Sequence, residues 1–437
     1  MSISSFLGLQ TSLRGLMAQQ QALDVATHNI ANANTVGYTR QEAALGATDP
    51  LHVQTGATHN GQGAFLGQGV DVTAYRRIRD SFLDLQVRAQ SMALGDATTS
   101  AQALDRVQSA LGEPSDTGID ALMGKFFTAW SDLANHPESD GSKQAVASAA
   151  QTLGDAFKAL GADIAGAATD AQSEFAQITG ATGPIQADAT QLAQLNRAID
   201  AAIDGGQSPN DLLDKRDQVL DDLSQYGQVS VTQLANGRVQ VMLGNQSVVT
   251  DTTSDWVVPP AATFAAGGGT LGALQTLTTT TLPGYQSALD AVAKTLHDDV
   301  NAAYGSAFFG GTTAATLGSG IPAASSIVAG TGTGAASNDV ALAISELRNT
   351  SAAGTQYGAL VRQVGSDAAN AGDAQAVAQA AYDGAEDRRQ NVSGVSLDEE
   401  MANMLRFQRG YQASARAMSS IDEMLDTLIN RAGRVGL

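Results

Sequence analysis

Two apolar stripes near opposite ends of the sequence limit what this chain can fold into. Leu9, Leu13, Leu16, Gln20, Leu23, Thr27 and Ile30 recur at alternating steps of four and three, and Tyr411, Ala415, Met418, Ile421, Leu425 and Leu428 keep a similar spacing. Such spacing is that of a coiled-coil seam. Between the stripes the period stays helical over about 73–112, 118–136, 139–206, 208–226, 285–304, 338–350 and 353–390. Pro184, after Gly180 and Gly183, should break the long third pattern. "SPNDLLDKRDQVLDDL" starts as helices do, with Ser208 as N-cap and Pro209 at the first helical position. Around 228–258 the period drops to two. Val229 and Val231 alternate before Asn236-Gly237, and Val239, Val241 and Leu243 after it, which predicts a hairpin.

Helices from both halves around one β insertion imply a chain that goes out and comes back. The expected fold class is mainly α with a small inserted β domain, elongated and multi-domain. Residues 1–40 and 395–437 would pair as a terminal coiled coil, 41–227 and 284–394 would form a helical middle domain, and 228–283 a β-rich outer tip. At 437 residues the chain exceeds what one core usually holds. Aromatics make up only 5% and glycine is abundant at 46, so closely spaced helices are favoured over a bulky centre.

Charge and composition exclude several classes. With 44 acidic against 24 basic residues the net charge is -20, which gives no electrostatic footprint for nucleic acid. No cysteine occurs, so disulfides, thiolate catalysis and Cys-based metal sites are ruled out. No run of about 18 apolar residues exists to insert in a membrane. "MSISSFLGLQTSLRGLM" lacks a basic start and is interrupted by Arg14, so any export is expected to proceed without a cleaved signal.

No pattern in the sequence points to catalytic or metal chemistry. His28, His52, His59, His136 and His297 are scattered, and none has a second histidine at zinc-hydrolase spacing. The glycines of "GQGAFLGQG" (61–69) miss the dinucleotide spacing and are read as turns. Acidic pairs such as Asp221-Asp222, Asp298-Asp299 and Glu399-Glu400 fit solvated helix faces better than acid/base couples. The reading is no enzyme, no cofactor and no metal.

The stripes themselves carry the functional expectation. A helix of about 31 residues is about 46 Å long, and a pair of them in a monomer leaves apolar surface that soluble proteins normally cover with a partner. Leu9, Leu13, Leu16, Leu23, Ile30, Tyr411, Met418, Ile421, Leu425 and Leu428 are therefore expected between subunits. The exit of the first helix, "THNIANANTVGYTRQ" (27–41), is unusually polar. Asn29, Asn32, Asn34 and Gly37 can cap carbonyls and tolerate left-handed backbone, and with Tyr38 they could also bond a neighbour.

These residues match a known pattern. "GLMAQQQALDVATHNIANANTVGYTRQ" resembles the N-terminal signature of axial proteins of the bacterial flagellum: rod, hook and hook-associated proteins. "GQGVDVTAYRRIRDSFLDLQVRAQ" (67–90) and "SPNDLLDKRDQVLDDLSQYGQVSV" (208–231) are similar to segments of the hook-associated branch, and 393–430 resembles its C-terminal signature. The resemblance implies a structural subunit of the hook–filament junction that self-assembles into a helical tube. It also implies type III export, an extracellular position, and contacts with hook protein, the third hook-associated protein and an export chaperone on the C-terminal helix. A hook or distal rod protein, or a secreted helical effector, are the rivals. The 208–231 segment speaks against the first two, and the lack of a catalytic centre against the last.

Overall fold

Each long helix begins and ends where its residues demand it. The computed structural model describes residues 2–53, 64–261, 263–332 and 336–427. Helix α1 spans Ser2–Ala31, α2 Ser81–Leu111, α3 Ile119–Asn135 and α4 Asp140–Thr179. Asp80 caps α2 by accepting the Phe82 N–H at 2.8 Å, and Gly112 ends it in the left-handed region. The break at Pro184 is borne out: the proline opens α5 (Pro184–Asp204). Helix α6 (Asn210–Ser224) starts one residue later than its signals suggest. Pro209 sits outside the helix, and Ser208 lends its backbone carbonyl to the Asn210 N–H rather than its hydroxyl.

The stretch after α1 is not helical, as its second half was expected to be. Strand β1 (Gln41–Ala47) pairs antiparallel with β4 (Val70–Arg77), and a short extension pairs β2 (Leu51–Val53) with β3 (Ala64–Leu66). Residues 73–77 thus belong to a ribbon, and α2 begins only at Ser81. In β4, alternation of Val70 and Val72 with Asp71 and Thr73 outweighs the helical spacing read through it.

The Asn-Gly hairpin forms as expected. β5 (Val229–Gln233) and β6 (Val239–Leu243) are joined through Asn236 and Gly237, both at positive φ, and β7 (Gln246–Thr250) and β8 (Thr253–Ser254) complete a four-stranded meander. The β region is smaller than 228–283. From Gly269 the chain is helical: α7 (Gly269–Thr276), one wider π turn (Leu277–Thr281), then α8 (Leu282–Tyr304). Helices α9 (Asp339–Thr350), α10 (Ala353–Ser393) and α11 (Leu397–Asp426) return the chain. Within 305–332, Phe308, Phe309, Leu317 and Ile327 are buried, and the Asn301 side chain accepts the N–H groups of Phe308 and Phe309, each at 2.9 Å.

Two hydrophobic cores result. The distal one joins the end of α2, α3, the first half of α4, α8, α9 and the start of α10 around Trp130, Phe126 and Phe157. The proximal one joins the end of α4, α5, α6, α7 and the sheet around Leu192, Val241 and Trp256. The sheet therefore lies on the same core as α6, whose Gln218 backs the turn at Gly37 after α1.

Helices α1 and α11 pack against each other antiparallel. A Cβ added at Gly8 would stand 3.2 Å from Ile421 Cδ1, one at Gly15 3.2 Å from Ser414 Oγ, and one at Gly410 2.7 Å from Gln19 Oε1. Seven residues along α1 match seven back along α11, and four more match four.

Candidate subunit interface and the corner that supports it

The polar exit of α1 is used mainly inside the chain. Asn29 is buried and makes four hydrogen bonds. Its Nδ2 donates to Gln41 O (2.9 Å) and Glu400 Oε2 (3.1 Å), and its Oδ1 accepts from Tyr38 Oη (2.7 Å) and Gln41 N (3.0 Å). That exhausts what an amide can do. Asn32 caps the helix by donating to His28 O at 3.0 Å. Gly37 turns at φ 77° against Gln218 of α6. Burial, with Asp211, Asp214 and Glu400 nearby, pushes the Tyr38 hydroxyl well above its ordinary pKa, so it stays a donor. Arg40 reaches Glu399 (2.7 Å) and Glu400 (2.8 Å) on α11. Of the asparagines, only Asn34 stays on the open surface.

A charged clamp fixes this corner to the body. Along α6, Asp214, Asp217 and Asp221 share one face at steps of three and four. Asp217 receives Arg77 at 2.8 Å and Arg79 at 2.7 Å; Asp214 takes Arg77 at 2.8 Å and Asp221 takes Arg88 at 2.7 Å. Arg389 of α10 closes on Asp221 as well. One helix face thus ties the ribbon, α2 and α10 together. Burial alone would raise Asp217, but Arg79 and Arg77 outweigh it and hold the carboxyl below its usual range. Sequence reasoning took Asp221-Asp222 for a solvated face. The clamp was invisible there because its partners lie more than 130 residues apart in the chain.

The closest seam between α1 and α11 is not the leucine stripe. Gly8, Gly15, Ala18, Ala22 and Ala26 line it, with Ala18, Ala22 and Ala26 each about 1% exposed. At about 3.6 residues per turn, Leu9, Leu16, Leu23 and Ile30 stand to one side of this seam, and Arg14 and Val25 to the other. The ribbon occupies the second side: Arg14 reaches Asp71 at 3.7 Å, and Gly69 lies against Thr11. On α11, Met404, Tyr411 and Met418 fall on the leucine side. Ile421 lies in the seam over Gly8, with Leu425 one turn on, while Leu428 lies outside the described residues. Leu9, Leu16, Leu23, Ile30, Met418 and Leu425 are half-buried, and Leu13 and Tyr411 are exposed. Beside them Phe6 (63%), Met17 (52%), Met401 (50%) and Leu405 (55%) stand open. The pair thus carries the ribbon on one side, half-buried leucines on the other, and bare apolar side chains on its outer faces.

Nothing at this corner is arranged for bond-making chemistry. Between α1, α11 and β1 runs a groove of about 260 Å³ lined by Arg40, Glu42, Glu400 and Arg406. Arg40 and Glu400 are tied to each other there. What the geometry offers is exposed apolar surface of the kind a structural subunit presents to another protein.

Comparison with known proteins gives that class a name. The model for flagella basal body rod proteins matches 9–39, that for the flagellar hook-associated protein FlgK helical domain matches 104–263, and that for the flagellar basal body rod FlgEFG protein C-terminal region matches 388–431. Flagellar hook-associated protein 1 of Bacillus subtilis (strain 168) is 29% identical, over 98% of this chain and 99% of that protein. Its namesake in Salmonella typhimurium is 30% identical over 54% of this chain and 40% of that protein, and the one in Escherichia coli K12 28% identical over 61% and 48%. A solved structure of the flagellar hook junction protein FlgK from Burkholderia pseudomallei is similar over 50% of this chain and 43% of that one, at 24% identity and a TM-score of 0.44. Along nearly its whole length the chain is similar to flagellar hook-associated protein 1, and its two ends match the models of flagellar rod proteins.

Proposed function

We propose that this protein forms the junction between hook and filament, and that the bare apolar surface of its α1–α11 pair is where neighbouring subunits pack. The single observation that carries the reading is the set of large apolar side chains that the terminal pair leaves exposed, Phe6, Leu13 and Met17 on α1 and Met401 and Leu405 on α11. Soluble chains rarely leave such a set uncovered without a partner. In this reading residues 1–40 and 395–437 act as one coiled-coil domain. Leu9, Leu16, Leu23, Ile30, Tyr411 and Met418 meet the next subunit, while Asn29 and Tyr38 hold the corner in shape for it. Heterologous contacts that do not close generate a helical tube, with hook protein on one side and the third hook-associated protein on the other. Export without a cleaved signal, through the flagellar type III apparatus, would deliver the chain. Until assembly a chaperone would cover α11, whose only fully buried residue among those described is Glu400.

A strain lacking the gene tests the proposal. It should carry hooks without filaments, shed filament subunits into the medium, and regain filaments on complementation. Normal filaments in that strain would overturn the reading.

A further inference from the structure

The two cores share no buried residue: on α4 the distal one ends at Ile164 and the proximal one begins at Ala171. Three helices cross between them, and each turns small-sided at the crossing. Between Leu94 and Leu104, α2 has no apolar side chain larger than alanine; the same holds between Ile164 and Phe175 in α4, and between Val364 and Val377 in α10. Their levels coincide. Thr99, Gln102 and Ala103 of α2 face Ala167, Ala171 and Glu174 of α4 across one narrow crevice, which Leu274 of α7 also lines. On α10, Asp367, within the small-sided stretch, accepts a hydrogen bond from Tyr285 of α8 at 2.7 Å.

The fourth crossing is independent of this pattern. Where α7 runs into α8, the helix widens into the π turn Leu277–Thr281, directly before Pro283. Thr278 donates its hydroxyl to Leu274 O at 2.8 Å, and Thr279 donates to Gln275 O at 2.7 Å, so side chains serve carbonyls at the irregular turn. One irregular turn in a long helix is a place where bending concentrates.

We propose that this level is a flexible waist, about which the distal core tilts as a rigid unit on the proximal core. Helices faced with alanine approach more closely than helices faced with leucine. A bundle with closely spaced axes resists bending less, and smooth alanine surfaces slide without large side chains having to disengage. Each core resists deformation because it is packed around aromatic and branched side chains. The waist has almost none. The distal end can then adjust its tilt while the clamp at α6 and the terminal pair keep their own geometry.

The absence of cysteine makes the test clean. Spin labels on Lys158→Cys and Gln194→Cys span the waist, whereas labels on Lys125→Cys and Lys158→Cys lie within the distal core. Double electron–electron resonance on the full chain should give a distance distribution about twice as wide across the waist as within the core, as expected for a hinge. Equal widths would overturn the proposal. Deleting Thr280, which removes the extra residue of the π turn, should narrow the cross-waist distribution toward that of the control pair. An unchanged width in that variant, with native circular dichroism, would also overturn it.

Discussion

Replacing Asp217 by alanine should weaken the proximal core and leave the distal core nearly untouched. The carboxylate is 13% exposed and receives Arg77 and Arg79, with Arg88 at 3.6 Å. Removing one partner of a buried ion pair costs about 3–5 kcal/mol. Here each arginine keeps a second acid: Asp214 for Arg77, Asp84 for Arg79 and Asp221 for Arg88. The expected loss is therefore near the lower end, about 3 kcal/mol. The chain's two tryptophans separate the cores, since Trp130 lies in the distal one and Trp256 in the proximal one. Urea unfolding followed by fluorescence in a Trp130→Phe background reads the proximal core alone. Because the folded carboxyl titrates below its usual range, its contribution is present above about pH 4 and lost as pH falls through the folded value. The gap between parent and variant should therefore close in acid. A Trp256 transition unmoved at pH 7 would refute the account of the clamp.

Other perturbations read other parts of the structure. Burial and the neighbouring Asp222 push Asp188 up to about 6; with the folded value raised, stability is lost as pH rises from about 4 through 6. Asp188→Asn should thus raise the melting temperature at pH 7 and leave it alone at pH 4, which calorimetry can check. Asn29→Ala takes one of two partners from the buried Glu400 and leaves the Gln41 N–H without its acceptor, and should cost about 2–3 kcal/mol, seen as faster amide exchange at 38–41. Gly15→Leu forces a side chain against Ser414 and should part the terminal helices, at about 1–3 kcal/mol for overpacking. Protease sensitivity confined to α1 and α11 would report it.

Much of the fold was legible wherever a local rule sufficed. Pro184 breaks a helix and Asn236-Gly237 closes a hairpin because φ is decided within a few residues. The ribbon was missed because "QEAALGA" of β1 offers little contrast between its faces, so neither period stands out. The expected β-rich domain extends to 283, although "GTLGALQT" within it folds as α7. The stripes were correctly seen as apolar, yet the tightest contact went to Gly8, Gly15, Ala18 and Ala22. Hydrophobicity marks what avoids water; residue size decides how near two helices can come. Of the corner, the helix cap was readable, but the partners of Asn29 and Asp217 come from distant segments and no spacing announces them.

The central claim is that the open apolar surface of the α1–α11 pair exists for neighbouring subunits. Leu13→Glu with Met17→Glu tests it directly, because both side chains are exposed in the single chain. Glutamates there add little strain to the monomer, whereas burying them between subunits is costly. Calorimetry of the purified variant, alongside electron microscopy of cells producing it, reads folding and assembly separately. The account predicts an unchanged melting temperature, normal export, and hooks bearing neither the variant nor filaments. Filaments of normal number and length, with the variant retained at hook tips, would contradict it.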